Sequence, residues 1–479
     1  MIFSSLIFVF AFLVTTLLLY YIAPKRFRNL VLFVMSLIFY GWVEPALILV
    51  MLSSVGIAFG LGFPIAKYRE TNKRKAKAFL AVSLILNLAW LLFFKYFNFF
   101  IENLRLIPFL SELKTLTQYS LPISSTPFEF LLPVGISFYT FQIMSYSIDL
   151  YRGHTQVQKS FVSFGAYVTL FPQLVAGPIV RYRDIDDMLI ERHENIEDFA
   201  AGIRRFCSGL AKKIILADAA GALVSYFDAS LAYEVTTLGS WLTVVFYTFQ
   251  IYFDFSAYSD MAIGLGKLFG FHFLENFNYP YMSKSITEFW RRWHMSLSSW
   301  FREYLYIPLG GNRKGKLAQY RNLAIVWLAT GFWHGASWNF ILWGVYFLIL
   351  LVVEKAFLLK LLEKAPSILS RLYALFFIAI GWLIFYYTDT AEGLRCLTGL
   401  FGAGKFTTPQ ISYAAIHAVP LIVVLTVGST QLPKKLWNGF YEKTAAGKYV
   451  SVLASLLALV ASMAYMVASS YSPFLYFNF

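Results

Sequence analysis

Long runs without a charged residue are the feature of this chain that most constrains its fold. They recur along the whole sequence, at residues 2–24, 30–43, 46–66, 78–94, 130–148, 161–180, 235–253, 322–353, 372–387, 406–432 and 449–470. A helix needs about 20 apolar residues to cross ~30 Å of hydrocarbon, because each residue adds about 1.5 Å. Some runs are shorter, and residues 203–227 form a hydrophobic stretch that charges interrupt. We therefore expect roughly eleven to thirteen membrane spans.

The composition supports the same class. Hydrophobic residues make up 58% of the 479 residues and charged residues 14%, whereas soluble domains have roughly 45–50% and about 25%. The alternating pattern of membrane β-strands is absent. The sequence therefore predicts an all-α polytopic membrane protein, organised as one membrane domain over residues 1–479.

The net charge of +14 comes from short basic clusters beside the apolar runs, which does not suggest nucleic-acid binding. Clusters at residues 25–28, 67–77 and 434–448 fit cytoplasmic loops, because positive charge concentrates on that side. This arrangement places both termini outside, and the first run reads as a retained helix rather than a cleaved signal. With only two cysteines, neither a disulfide framework nor a thiolate metal site is expected.

The interval 276–320 differs from its surroundings. It mixes Lys, Arg and Glu with Trp and Phe, so it is too polar to span the membrane and too aromatic for a loose loop. We expect amphipathic helices at the cytoplasmic interface, or re-entrant segments that line a cavity.

Two histidines are the main candidates for functional residues. His334 lies in GFWHGASW, residues 331–338, and no Lys, Arg, Asp or Glu occurs from 322 to 353. An imidazole accepts a proton near neutral pH, and an ionisable group in hydrocarbon is costly unless it has a function. Its flanking residues Gly331 and Gly335 allow a backbone or a ligand to approach closely. The alternative is a histidine at a helix interface that bonds to a backbone carbonyl.

The second histidine is His294, in WRRWHMS at residues 290–296. The neighbouring cations Arg291 and Arg292 favour a neutral imidazole, which suits a proton acceptor or a hydrogen-bond donor. An interfacial residue in a basic helix is the alternative. The other four histidines lie in loops or in an unmarked span and carry no such signal.

Carboxylates and the C-terminal tail are the remaining sites of interest. Asp254 and Asp260 are expected to cap a helix or pair with a base, and DIDD at 184–187 reads as a solvated loop. The tail YSPFLYFNF, residues 471–479, suits an interfacial aromatic belt. A tyrosine hydroxyl there could alternatively accept an acyl group if a base removed its proton.

Several segments together resemble a known family. WRRWHMSLSSWFREYLYIPLGGNRKG at 290–315 and WLATGFWHGASWNFILWG at 327–344 are the most specific, and YFDFSAYSDMAIGLG at 252–266 extends the match. They resemble the membrane-bound O-acyltransferase family, closest to its bacterial branch of alginate O-acetylation proteins and peptidoglycan O-acetyltransferases. Residues 290–344 are then the catalytic motif region, and residues 449–479 the last span and aromatic tail.

The resemblance implies a helical fold around a central tunnel, which donor and acceptor enter from opposite faces. It assigns catalysis to His334 and His294, with His294 or a nearby donor steadying the oxyanion or the leaving thiolate. It further implies cytoplasmic acetyl-CoA as the acyl donor, no metal, and Tyr476 as an acyl relay. The partner is then an extracytoplasmic SGNH-type acetylesterase-like transferase, which modifies a glycan such as alginate or peptidoglycan outside the bacterial inner membrane.

Two alternative functions stay open at this stage. D-alanyl transfer to teichoic acid is the nearest related activity, carried out by a related branch that keeps the tyrosine tail on a separate small protein. A proton-coupled transporter or flippase is the alternative from another class, with the same histidines as a proton relay. A transporter predicts two related halves, but the chain has no apparent internal repeat.

Overall fold

The computed structural model describes residues 1–42, 45–115, 132–468 and 474–475. These ranges contain helices and no β-strand, apart from one isolated bridge between Thr236 and Lys405. The all-α membrane class expected from the apolar runs is confirmed.

Within these ranges, six helices are long and apolar enough to cross a membrane. They are Leu47–Tyr68, Lys73–Leu104, Ile196–Tyr233, Ser367–Tyr386, Pro409–Gly428 and Ala446–Ala468, and Ile7–Ile22 is a shorter apolar helix. This selection rests on length and composition alone. The chain is therefore a multi-pass membrane protein, and the expected total of roughly eleven to thirteen spans stays a prediction.

The chain divides into two compact units. The first comprises residues 1–199 and 266–273. Its helices are α1 Leu13–Ile22, α2 Arg28–Tyr40, α3 Leu47–Tyr68, α4 Lys73–Leu91, α5 Phe97–Leu104, α6 Ile136–Arg152, α7 Phe161–Thr169, α8 Phe171–Leu174 and α9 Asp186–Ile190. Part of its core is aromatic, since the Phe171 ring lies 5.3 Å from that of Phe12 and 5.6 Å from that of Phe39, measured between centroids.

The second unit comprises residues 200–265 and 274–479. Its helices, of which α10 begins and α12 ends just outside these bounds, are α10 Ile196–Ala211, α11 Asp218–Tyr233, α12 Thr237–Leu268, α13 Ile286–Arg292, α14 Met295–Phe301, α15 Lys316–His334, α16 Trp338–Val353, α17 Leu359–Lys364, α18 Ser367–Tyr386, α19 Thr390–Leu400, α20 Pro409–Gly428, α21 Leu432–Lys443 and α22 Ala445–Ala468. The prediction of one membrane domain over residues 1–479 stays a prediction.

The structure divides some of the apolar runs. The run 322–353 becomes the end of α15 and the whole of α16, with a break in which Gly335 takes an extended conformation. These two helices approach closely, because a Cβ at Gly344 would lie 3.4 Å from the Cα of Gly331 and 2.6 Å from the carbonyl oxygen of Trp327. Small residues at such a contact let two backbones pack together. The break leaves His334 as the last residue of α15.

The interval 276–320 forms short elements rather than one span. Helices α13 and α14 have seven residues each, and π-helical Arg302–Tyr306 follows α14. The interval thus forms short helices, and their expected place, at the cytoplasmic interface or as re-entrant segments, stays a prediction. Both histidines of interest lie in the second unit, one in this interval and one at the end of α15.

Candidate active site

His334 lies in an aromatic enclosure. Its side chain is buried, and its ring centroid lies 5.0 Å from Trp333, 5.0 Å from Trp343 and 5.3 Å from Phe385. The neighbouring glycines admit protein rather than a ligand, because the carbonyl oxygen of Phe340 faces Gly331 and the Phe340 ring faces Gly335. The aromatic rings fix the imidazole in position and keep bulk water away from most of its surface.

His294 directly precedes α14 and is also buried. Its backbone lies in the left-handed region, with φ 43° and ψ 55°. A non-glycine residue in that region costs free energy and persists only where its surroundings enforce it. The Phe255 ring packs edge-on against the imidazole at 4.7 Å, and the Trp333 ring lies 6.0 Å away. Trp333 thus contacts both histidines.

A hydrogen bond to Asn276 fixes which nitrogen of His294 carries the proton. The Oδ1 atom of buried Asn276 accepts the backbone N–H of Ser296 at 3.2 Å and the Ser296 hydroxyl at 2.9 Å. Because a backbone N–H only donates, this Asn276 atom is the amide oxygen. His294 Nδ1 lies 3.1 Å from the same oxygen, so Nδ1 carries the hydrogen and Nε2 carries the lone pair of the neutral ring.

Both histidines line one cavity of about 790 Å³ in the second unit. Four cationic residues share its wall: Arg291, Arg302, Arg313 and Lys355. Within the part of the chain that the structure describes, no Asp or Glu is among the lining residues. The volume lies within the range of small-molecule sites, ~300–1,000 Å³. The arrangement combines acid–base groups with a wall suited to an anionic ligand.

The buried carboxylate of Glu354 stabilises a helix that lines the cavity. Glu354 accepts the backbone N–H groups of Ile286 and Thr287 at 2.6 and 2.8 Å, and the Thr287 hydroxyl at 2.6 Å. The first free N–H groups of a helix carry partial positive charge, so an anion there stabilises the helix. Glu354 thereby holds α13, which contributes Trp290 and Arg291 to the cavity.

Sequence reasoning missed Asn276 and Glu354, because each acts on a residue far away along the chain. The only local signal for Glu354 is a single acidic residue that directly follows the long apolar run 322–353. The sequence around Asn276 offers no comparable signal. Contacts across such separations require knowledge of the fold.

The other predicted residues have mixed outcomes. Asp254 and Asp260 pair with basic side chains, as expected: Asp254 with Lys213 at 2.7 Å, and Asp260 with Arg205 at 2.9 Å. The solvated loop predicted at 184–187 is wrong. Asp184 ends a short 3₁₀ helix and pairs with Arg181 at 2.8 Å, and Asp186 and Asp187 begin α9. Tyr476 lies outside the described residues, so its role stays a prediction.

The protonation of His294 predicts a pH effect on stability. Burial lowers the pKa of His294 from 6.5 to about 3, and the residue lies outside the six apolar helices. The unfolded chain, with an ordinary pKa, binds more protons below about pH 6.5, so the free energy of unfolding falls as the pH falls through that range. We expect the thermal midpoint in detergent to drop more between about pH 7 and pH 5 in the unaltered chain than in His294→Gln.

Exposed His193 provides the matched control for this measurement. His193→Gln should keep the pH dependence of the unaltered chain. An identical drop in His294→Gln and the unaltered chain would show that the pKa of His294 is the same in the folded and unfolded states.

The fold and the site together define a multi-pass membrane protein with a histidine-lined, cationic cavity. A family model described as MBOAT, membrane-bound O-acyltransferase family, matches residues 152–391. The chain belongs to the membrane-bound O-acyltransferase family, and it is an acyltransferase. The matched region includes both histidines, all four lining cations, Asn276 and Glu354.

Curated relatives resemble the chain over its whole length. A probable alginate O-acetylase of Azotobacter vinelandii is 36% identical over 512 residues, covering 100% of both chains. One of Pseudomonas putida is 38% identical over 499 residues, again covering 100% of both. A peptidoglycan O-acetyltransferase of Helicobacter pylori is 32% identical over 535 residues, covering 100% of this chain and 98% of the relative.

Proposed function

We propose that this protein transfers an acetyl group from cytoplasmic acetyl-CoA to a hydroxyl, for O-acetylation of an extracytoplasmic glycan. One observation carries the proposal: His294 and His334 line a single cavity whose charged lining residues, within the described ranges, are all cationic. The names of the relatives favour an exopolysaccharide such as alginate, or peptidoglycan, as the glycan.

The cationic wall suits the donor. Coenzyme A carries a diphosphate and a further phosphate, and guanidinium groups bind phosphate through paired, charge-assisted hydrogen bonds. Arg291, Arg302 and Arg313 supply such groups, and Lys355 adds a point charge. With the phosphates bound there, the thioester arm extends toward the histidines on the same cavity.

The chemistry needs a base and no further activation of the carbonyl, because a thioester is already an activated acyl group. His334 takes the proton of the attacking hydroxyl as its oxygen forms a bond to the carbonyl carbon. The C–S bond then breaks, and the thiolate leaves with the proton that His334 holds. The one hydrogen of that hydroxyl goes to His334, so His294, whose Nε2 carries a lone pair, accepts a hydrogen bond from another donor group of the bound substrates. Stabilisation of the oxyanion falls to other donors of the cavity.

The first acceptor in this proposal is the hydroxyl of Tyr476. Its acetyl ester then passes to an extracytoplasmic SGNH-type acetylesterase-like transferase, which acetylates the glycan. The basic segment 434–448 leads into the first turn of the last apolar helix, Ala446–Ala468. If that segment is cytoplasmic, the helix crosses the membrane and the tail that follows emerges on the extracytoplasmic side.

Radiolabelled acetyl-CoA tests the donor. Protein purified in detergent should take up covalent label, and Arg302→Gln should raise the KM for acetyl-CoA about tenfold, because one charge-assisted hydrogen bond to phosphate is lost. Acetyl-pantetheine has no terminal phosphates, so its KM should not change in Arg302→Gln. Exposed Lys284, which is absent from the cavity wall, provides the control Lys284→Gln.

The same preparation separates the alternatives. Label from a D-alanyl thioester, with none from acetyl-CoA, would favour D-alanyl transfer. No covalent label from either donor, together with proton movement in liposomes, would favour a proton-coupled transporter.

A further inference from the structure

A buried ion-pair group lies in the second unit, apart from the histidine cavity. Lys213 is 2% exposed, and its Nζ lies 2.7 Å from Asp218 Oδ1 and 2.7 Å from Asp254 Oδ1. Lys213 belongs to the π-helical segment Lys212–Ala217, and Asp254 to α12. A buried charge persists only where partners compensate its loss of water. The second carboxylate oxygen of Asp254, Oδ2, contacts another part of the chain.

That other part is the C-terminal tail. Asp254 Oδ2 accepts the backbone N–H of Leu475 at 2.8 Å. The Phe474 side chain is 1% exposed, with Lys213 Nζ 4.7 Å from its ring centroid and the Tyr258 ring edge-on at 5.0 Å. A cation over a ring face and an edge-on aromatic pair are both attractive. We define Lys213, Asp254 and Tyr258 as the tail socket.

The burial of Phe474 distinguishes this arrangement from an interfacial belt. Belt aromatics lie at the membrane surface with one end in water, whereas Phe474 is enclosed by protein. The bond to Asp254 is donated by the backbone N–H of Leu475, so it fixes the register of the chain and does not depend on which side chain stands at that position. A buried ring and a backbone hydrogen bond at successive residues hold the tail at one point along its length.

The socket is adjacent in sequence to a residue that packs against His294. Phe255 directly follows Asp254 on α12, and its ring packs against His294 at 4.7 Å. Consecutive Cα atoms are about 3.8 Å apart. One turn of α12 therefore binds the tail through Asp254 and contacts His294 through Phe255. Tyr476 is the residue that directly follows the anchored Leu475.

We propose that the tail socket is a positioning site for the acyl relay, which sets the register in which Tyr476 meets the acyl group. Lys213 and Asp254 act here as positioning residues: Lys213 holds the carboxylate, and the carboxylate holds the tail. This inference rests on the proposed relay through Tyr476. It adds a requirement for Phe474 that the relay chemistry alone does not have.

The test uses Phe474→Ala in the full-length protein, with exposed Phe401→Ala as its matched control. Hydrogen exchange at the Leu475 amide measures anchoring without any acyl chemistry. Single-turnover transfer from radiolabelled acetyl-CoA measures the relay. In Phe474→Ala we expect amide exchange about tenfold faster and labelling of Tyr476 about tenfold slower, with an unchanged KM for acetyl-CoA.

Asp254→Asn keeps an oxygen for the Leu475 N–H but removes the charge that Lys213 holds. This variant should also slow the labelling of Tyr476. Faster exchange of its Leu475 amide would identify the charge of Asp254 as part of the anchor. Faster exchange with undiminished labelling in Phe474→Ala would overturn the positioning role. Absence of label on the unaltered chain would instead overturn the proposed function, and the exchange rates would still decide whether the socket holds the tail.

Discussion

Replacing His334 by alanine is expected to lower the rate of acetyl transfer about 10³-fold, because a general base contributes typically ~10²–10⁴-fold. The loss should fall on kcat, with little change in the KM for acetyl-CoA, since the cationic wall is untouched. The measurement is the single-turnover rate of labelling from radiolabelled acetyl-CoA. Added imidazole should restore part of the rate, because the substitution leaves a space in the aromatic enclosure.

His417 supplies the matched control for this substitution. It is exposed on α20, where its Nδ1 bonds to the carbonyl oxygen of Tyr413 at 2.8 Å. His417→Ala should retain the rate of the unaltered protein. If the His334→Ala protein folds and is still labelled at an undiminished rate, His334 is not the general base.

Substituting Tyr476 by phenylalanine removes one oxygen and should abolish the covalent label on the chain. The proposed ester forms on that hydroxyl, and phenylalanine keeps the ring while offering no nucleophile. Mass spectrometry of the C-terminal peptide, after incubation with acetyl-CoA, measures the effect directly. Acetylation of glycan in a membrane that contains the proposed partner transferase should fall to background in the same variant.

Tyr471 lies in the same tail and provides the control. Tyr471→Phe should keep both the label and the glycan acetylation. If Tyr476→Phe retained full label, the acceptor would be another residue, and the relay through position 476 would be wrong.

The sequence predicted the fold class because burial in lipid imposes a local requirement. An uncharged run of sufficient length is visible without knowledge of the fold. The two histidines could be found for a related reason, since an ionisable residue among apolar neighbours contrasts with its own surroundings. The run 322–353 nevertheless breaks at Gly335, because the backbone there turns extended before α16 begins. Hydrophobicity alone does not mark such a break.

The supporting contacts could not be predicted, because they join distant parts of the chain. Asn276 and His294 are 18 positions apart, Glu354 and Ile286 are 68, and Asp254 and Leu475 are 221. No periodicity links such pairs. The pairing of Asp254 with some base was expected from the cost of burying a carboxylate, but the identity of Lys213 required the fold.

The bond between His294 and Asn276 bears on how the membrane keeps its electrochemical gradient. An amide side chain neither ionises nor passes a proton onward at physiological pH. A proton that arrives at Nε2 therefore cannot leave through Asn276, to whose Oδ1 the ring already donates from Nδ1. The amide thus closes one route by which a buried imidazole could carry protons across the membrane.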